Sequence, residues 1–307
     1  MAEPLRALTL DPRAHPRGQR HLSAASGLVC AHQRAYVISD DEHHLAVFRD
    51  HRTPGELHRI LGGELPRQKP ARKRIKPDLE TLLLLPAVPG EAGTALMALG
   101  SGSGPNRNTG VLVPMDARGE PLTAVRYFDL NPLYQPLRGI LGEINIEGAM
   151  LTGAELVLLN RGGRGASHNA AAHYRLVDLR RVIDGQIYTL APASVRPCAL
   201  GDIGGVPLGF TDGASLPDGG WVFSAVAEDS AGSYADGPCH GSAVGVVGAG
   251  GELLALHRLA PPAKVEGIAV RLERGALSLC MVTDADDPAR SSWLLTARLP
   301  IALAGRR

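Results

Sequence analysis

Five short acidic or polar elements recur along the chain, and each begins a new apolar run. They are 54 to 67 residues apart and read Ser26-Gly27-Leu28, Leu79-Glu80-Thr81, Ile146-Glu147-Gly148-Ala149, Thr211-Asp212-Gly213-Ala214 and Val265-Glu266-Gly267-Ile268. A repeat of this size is typical of radial or stacked folds, whose units bury their faces against their neighbours. The sequence therefore predicts an all-β fold, a β-propeller with five blades. Since about 60 residues per unit exceeds the roughly 40–50 of common propeller repeats, a six-bladed ring is the alternative. A β-sandwich or a solenoid is a weaker alternative to the propeller.

The units share a second feature. In each, an inner strand follows the acidic element, and a second strand ends in a polar loop, as at Asp284. In a propeller both polar positions lie at the same end of the central axis. A glycine after the acid suits a place where neighbouring backbones approach closely. We expect one domain over residues 1–307, with the apolar run at residues 5–10 completing the last blade and closing the ring. Helical signals are weak, and only residues 175–184 could form a short helix.

Composition excludes several classes of function. The net charge is +1, from 32 basic and 31 acidic residues, which gives no general attraction to nucleic acid or anionic membranes. No apolar run reaches 18 residues, and the first residues lack a secretory pattern, so we expect a cytoplasmic protein. The four cysteines are scattered without a Cys-x-x-Cys pair, and three of them lie in or near apolar runs, which favours inert, buried thiols over a zinc or redox motif.

One segment departs from the repeat. Residues 66–77 carry six basic side chains and precede Glu80. Such a run is usually a solvated loop, here between two blades. The alternative is an anion clamp at the mouth of the channel or a surface for a partner.

The inner-strand acids are the leading site candidates. Carboxylates that point at one axis repel each other unless a cation or basic side chains neutralise them. Calcium is suited to this because it takes 6–8 oxygen ligands in flexible geometry. We expect Glu147, Asp212 and Glu266 to hold such an ion, whereas a structural set of salt bridges is the alternative.

Other polar residues would complete the site. A general base must lie near the attacking water, and the candidates for catalysis are Glu80, Glu228 and His240. The candidates for binding a substrate are Asn106, Arg107, Arg161, Lys264 and Asp284. For His240, a plain loop histidine is the alternative interpretation.

Several phrases of the sequence resemble a family of uncharacterised bacterial proteins, DUF6929, over about residues 76–300. They are Asn145-Ile-Glu-Gly-Ala149, Leu158-Leu-Asn-Arg161, Gly209-Phe-Thr-Asp-Gly213, Phe223-Ser-Ala-Val-Ala-Glu-Asp229, Lys264-Val-Glu-Gly-Ile268 and Thr283-Asp-Ala-Asp-Asp-Pro288. More loosely, the Glu-Gly openings are similar to those of the esterase-like-activity-of-phytase propellers and the SdiA-regulated propellers. These resemblances imply a propeller with a polar central pocket and calcium or phosphoester chemistry. The chain departs from the pattern at Ser26, where an acid is expected, and at Thr81, where glycine is expected.

Two functions remain open from the sequence. The first is a cation-dependent hydrolase of phosphoesters or esters that acts on a small anionic substrate. The second is a non-catalytic propeller that binds a small anionic ligand or a protein partner and whose central acids and bases pair with each other.

Overall fold

The computed structural model describes residues 1–86, 93–162, 168–229 and 237–300. In this part of the chain, the strands form five antiparallel sheets, one for each acidic or polar element. The prediction of a five-bladed β-propeller is confirmed, and the six-bladed alternative is not.

The blades follow one another along the chain. The N-terminal strand is β1 (Glu3–Ala7). The first blade contains β2 (Ala25–Ala31), β3 (Arg34–Ser39), β4 (His44–Phe48) and β5 (Glu56–Arg59). The second contains β6 (Leu79–Leu85), β7 (Ala95–Gly100), β8 (Thr109–Pro114) and β9 (Arg126–Asp129). The third contains β10 (Ile146–Thr152), β11 (Glu155–Asn160), β12 (Ala170–Arg175) and β13 (Ser194–Pro197).

The last two blades complete the ring. The fourth contains β14 (Asp202–Ile203), β15 (Val206–Ser215), β16 (Trp221–Glu228), β17 (Cys239–Val247) and β18 (Leu253–Arg258). The fifth contains β19 (Val265–Glu273), β20 (Ala276–Thr283) and β21 (Trp293–Pro300). Its outer strand is β1, which pairs antiparallel with β21. The predicted closure by the N-terminal strand is therefore confirmed.

The inner strands β2, β6, β10, β15 and β19 surround the axis, and each contacts the next, with β19 returning to β2. Buried aliphatic side chains fill the space between blades. In one such core, Leu28 and Val37 of the first blade pack with Val282 and Leu294 of the fifth. Each blade thus buries its apolar faces against its neighbours, as the repeat requires.

The glycines of the repeat lie where inner strands approach each other most closely. A Cβ atom at Gly148 would lie 2.8 Å from the Cα of Asp212 in the next blade, and one at Gly267 would lie 3.1 Å from the Cβ of Leu28. Only glycine leaves room for this approach.

Three helices lie between strands: α1 (Lys69–Ile75), α2 (Asn131–Leu141) and α3 (Leu176–Ile183). The helix expected within residues 175–184 is present as α3, whereas the sequence did not predict α1 or α2. The prolines at 132 and 136 hide α2 from sequence patterns, but its buried Leu133, Tyr134 and Leu137 anchor it in the core. None of the described helices is long and apolar enough to cross a membrane.

Candidate functional site

Every inner strand carries a β-bulge at the position of its acidic or polar element, which is the second residue of β2, β6, β10 and β19 and the sixth residue of β15. The strand register shifts at one residue in each blade, and these residues are Ser26, Glu80, Glu147, Thr211 and Glu266. A bulge re-aims the side chain of its extra residue. The propeller therefore presents three glutamates and two hydroxyl groups at equivalent positions around the axis.

The bulge corrects the alignment of the fourth repeat by one residue. Thr211, and not Asp212, occupies the position equivalent to Glu147 and Glu266. Asp212 is buried beside the next inner strand, where its carboxylate accepts hydrogen bonds from the backbone N–H groups of Gly213 at 2.7 Å and Ile268 at 2.9 Å. Burial raises its pKa well above the ordinary value. The carboxylate oxygens of Asp212 thus accept hydrogen bonds from backbone groups of two neighbouring blades.

The two hydroxyl residues join neighbouring blades. Ser26 Oγ donates to the backbone carbonyl of Leu79 at 2.6 Å, and Thr211 Oγ1 donates to that of Val265 at 2.8 Å. Both acceptors are the residue just before the bulge of the next blade. In these two blades the hydroxyl group of the bulge residue forms a hydrogen bond that joins neighbouring blades. The bulge residues of the other three blades are the glutamates.

The glutamates belong to a larger set of charged side chains that we call the axial cluster. Its acids are Asp40, Asp78, Glu80, Glu147, Glu228, Glu266, Asp284 and Asp286, and its bases are Lys76, Arg107, Arg161 and Lys264. Electrostatic interactions link Glu80 with Glu147, Glu147 with Glu266, and Asp284 with Asp40, so the set closes around the axis. Eight carboxylates thus share four basic side chains.

Lys264 neutralises one side of the axial cluster. Its ammonium lies 3.5 Å from Glu266, 3.6 Å from Glu228 and 2.9 Å from Asp286, and Asp284 is 3.4 Å away. Burial alone would lower the pKa of this lysine, but the surrounding carboxylates raise it well above the ordinary value. Lys264 is therefore a fixed positive charge between the fourth and fifth blades.

Arg161 bridges the third and fourth blades. Its guanidinium lies 2.7 Å from Glu228 and 3.6 Å from Glu147. Glu147 also accepts a hydrogen bond from the side-chain amide of Asn145 at 2.5 Å. Burial nevertheless raises the pKa of Glu147 to about 8; Arg161 opposes this shift, whereas the charge of Glu266 adds to it.

Lys76 and Arg107 occupy the opposite side. The Lys76 ammonium contacts Asp40 and lies 2.7 Å from Asp78. Arg107 lies 2.8 Å from Asp78 and donates to the Ser103 hydroxyl at 2.6 Å. Asp78 is 3% exposed and adopts a positive φ of 55°, which aspartate tolerates better than most residues.

Glu80 differs from the other acids of the axial cluster. Among the described residues it has no hydrogen bond or ion pair, and burial together with the charges of Glu147, Asp78 and Asp40 raises its pKa well above the ordinary value. Ligand oxygens of Glu80, Asp40 and Asp78 lie within 4.8 Å of one another. One oxygen of Asp40, Oδ1, is buried without a hydrogen-bond partner. These three carboxylates are the described group best placed to hold a metal ion.

The remaining predicted residues are distributed as follows. Glu228, Arg107, Arg161, Lys264 and Asp284 lie in the axial cluster with Glu80, Glu147 and Glu266. Asn106 and His240 are exposed, and their side chains make no hydrogen bond or ion pair to any described residue. The structure thus gives no partner in the axial cluster to these two.

Asp78 is one of the site residues that were not candidates from the sequence. It lies two residues before the bulge residue, where the other blades have Ala24, Asn145, Gly209 and Lys264. The backbone carbonyls of Asp78, Asn145 and Lys264 accept the same hydrogen bond, from the residue after the second strand. An alignment of the repeats at this position could have identified Asp78, because its equivalent in the fifth blade, Lys264, was already a candidate.

The basic segment at residues 66–77 lies against the axial cluster. Arg72 of α1 is buried and lies 2.8 Å from Asp41, while Lys69 donates to the backbone carbonyl of Asp286 at 2.9 Å. Together with Lys76, these contacts connect the segment to the first, second and fifth blades. It is a structured connection, in contrast to the solvated loop that the charge run predicted.

The chain matches one known protein family by sequence and is similar in fold to several solved structures. The model of a family of unknown function, DUF6929, matches residues 21–299. No curated protein matches the chain by sequence. Structures of similar fold include a luciferin-regenerating enzyme, with 10% identity and a TM-score of 0.47 over 98% of this chain and 96% of that one. Others are a gluconolactonase from Xanthomonas campestris (14%, 0.44, 92% and 74%) and the calcium-binding protein regucalcin from Agrobacterium tumefaciens (10%, 0.43, 91% and 92%). Similarity at this level says nothing about chemistry.

Proposed function

The chain belongs to DUF6929, a family of unknown function, and we propose that it is a cation-dependent hydrolase of small anionic esters or phosphoesters. The observation that carries this proposal is the group formed by Asp40, Asp78 and Glu80, whose oxygens lie within 4.8 Å of one another. It belongs to a cluster in which carboxylates outnumber basic side chains by two to one. A bound divalent cation would reduce this imbalance.

The donor set fits a hard cation. All three side chains offer oxygen, and no described cysteine or histidine joins them, which suits calcium better than zinc. The hydroxyls of Ser101 and Ser103 hydrogen bond to Asp78 from the side away from Lys76 and hold its carboxylate in place. The Lys76 ammonium contacts two of the three acids, so it would have to share or yield these oxygens.

The other charged residues have roles that follow from their positions. When bound, the cation would polarise an ester or phosphoryl oxygen and make a neighbouring water more acidic. Glu147 is suited to act as a general acid, because with a pKa of about 8 it holds a proton near neutral pH and could donate it to the leaving group. Arg161 and Arg107 would bind the substrate anion from opposite sides.

A second function is favoured by a different observation. Lys76, Arg161 and Lys264 each contact at least two carboxylates, and Arg107 contacts Asp78. Basic side chains engaged in this way suit a rigid, non-catalytic propeller whose mouth binds a small ligand or a protein partner. In that case the pairing of acids and bases fixes the register of the blades.

Calcium-dependent unfolding separates these functions. At a calcium concentration a hundredfold above Kd, a single site should raise the free energy of unfolding by about 2.7 kcal/mol. The increase should vanish in Glu80→Gln and persist in the control Asp184→Asn, which alters a half-exposed acid paired with Arg126.

Activity on chromogenic phosphate esters, carboxylic esters and lactones completes the test. Calcium binding with turnover that is lost in Glu80→Gln would support the hydrolase. Calcium binding without turnover on any of these substrates would favour the binding propeller. An unfolding transition that responds to neither calcium nor chelator would exclude the cation site.

A further inference from the structure

Two cysteines that are far apart in the chain meet between the first and fifth blades. Cys30 lies near the end of β2, and Cys280 lies in the middle of β20. The sequence predicts inert, scattered thiols. The structure instead places both side chains, half-buried, at the edge of the apolar core shared by these two blades.

The strand register explains the meeting. Gly267 of β19 lies against Leu28 of β2, and two residues further along each strand Ala269 and Cys30 pack against the same apolar core. Ala269 is also the cross-strand neighbour of Cys280, which packs against that core too. Because β2 contacts β20 as well, the two cysteines lie on strands that meet.

The two thiols lie close enough for each to change the ionisation of the other, on strands β2 and β20 that contact each other. The interaction with Cys30 lowers the pKa of Cys280 to about 7, whereas the pKa of Cys30 is raised. Arg271 favours the thiolate at both sites. A thiolate is the nucleophilic form of cysteine, so Cys280 is the member of the pair that reacts first.

The other two cysteines provide a contrast. Burial raises the pKa of both Cys198 and Cys239, and neither has a cysteine partner among the described residues. Their thiols should react slowly with mild oxidants.

We propose that Cys30 and Cys280 are a site of reversible oxidation by peroxides, at which a disulfide fastens the first blade to the fifth. The Cys280 thiolate attacks one peroxide oxygen, the O–O bond breaks, and with one proton taken up the products are a sulfenic acid and water or an alcohol. The Cys30 sulfur then attacks the sulfenic sulfur and loses its proton, which leaves with the hydroxyl group as water. The two thiols are oxidised and the peroxide is reduced.

The disulfide would lie where the ring closes. In the reduced protein, β1 on β21 completes the fifth blade at its outer edge. The Cys30–Cys280 bond would add a covalent link between the first and fifth blades, near the axis. Because it would join residues far apart in the chain, it should restrict the unfolded chain and raise Tm.

The test uses the double variant Cys198→Ser/Cys239→Ser, which keeps only the proposed pair. The protein is treated with hydrogen peroxide, denatured in N-ethylmaleimide and weighed by mass spectrometry. We expect no alkylation and a mass lower by two hydrogen atoms, with both alkylations restored by dithiothreitol. Tm should rise by several degrees on oxidation and return on reduction.

Single variants provide an independent measurement. In Cys30→Ser the sulfenic acid of Cys280 has no partner and should be trapped by dimedone, whereas the intact pair should give little adduct. Peptide mapping of the oxidised wild-type chain tests the same disulfide if the double variant fails to fold. Two thiols that remain open to alkylation after peroxide, or oxygen adducts without a cross-link, would overturn the proposal.

Discussion

The Lys76 ammonium lies 2.7 Å from the Asp78 carboxylate, just before the inner strand of the second blade begins. It also contacts Asp40, so one lysine neutralises two of the three acids proposed to hold a cation. The lysine and the cation would therefore compete for the same oxygens.

This competition predicts the behaviour of Lys76→Met. Without calcium, the variant leaves Asp40 without its base and Asp78 with Arg107 alone, and it should lose about 3–5 kcal/mol of unfolding free energy. Calcium should restore much of that loss and should bind more tightly than to the wild type. Calorimetric titration and urea unfolding with and without chelator measure both effects. Unchanged calcium affinity in this variant would show that Lys76 does not occupy the cation site.

The pair of Arg161 and Glu228 should contribute strongly to stability. Arg161 is 16% exposed, and Arg161→Met keeps the stem of the side chain but leaves Glu147 without its base and Glu228 with Lys264 alone. We expect a loss of about 3–5 kcal/mol in denaturant unfolding. The control Arg126→Met breaks a pair whose members are 52% and 47% exposed, and it should cost less than about 1 kcal/mol. Equal losses in both variants would mean that burial does not strengthen the axial pair.

The raised pKa of Glu147 predicts a loss of stability as pH rises. Between its ordinary pKa of 4.5 and its folded value of about 8, the folded protein holds a proton that the unfolded chain has released. Unfolding free energy should therefore fall through this range, by up to about 1.4 kcal/mol per pH unit for one proton. Glu147→Gln should flatten the profile, so that it is more stable than the wild type at pH 9 but not at pH 5. Urea unfolding in chelator measures this, with the exposed Glu64→Gln as control; parallel profiles would contradict it.

Two glycines should respond oppositely to alanine. In Gly148→Ala the new Cβ would meet backbone of the neighbouring blade at 2.8 Å, so the free energy of unfolding should fall by about 1–3 kcal/mol. Gly139 in α2 has open space, and Gly139→Ala should instead stabilise the protein by about 0.5–1 kcal/mol. Thermal or urea unfolding compares the two. Similar effects in both variants would show that the approach of the inner strands is not tight.

The repeated acids and glycines were enough to predict the five blades and the strand that closes them. The prediction succeeded because Gly148 and Gly267 both lie where inner strands of neighbouring blades approach closely. Only glycine fits at such a position, so the close approach is visible in the sequence. The residues at the axis were harder to predict. Thr211-Asp212-Gly213 matches the acid-glycine pattern, but the bulge lies one residue earlier, and only the pairing of strands reveals this.

Partners around the axis could not be predicted from the sequence. Lys264 and Glu228 come from adjacent blades, and their contact depends on how the blades are rotated about the axis. The meeting of Cys30 and Cys280 likewise depends on the packing of the first blade against the fifth. Local sequence carries no signal for either contact, since both arise only when the ring closes.

The pairing of Glu3 with Thr296 has a consequence for the synthesis of this protein. β1 leaves the ribosome before any blade exists, yet its partner β21 follows all the other strands of the ring. Until β21 is made, β1 has no sheet to join, and the growing ring is an open arc. Closure of the complete ring must therefore wait for the synthesis of β21, which gives β1 its partner.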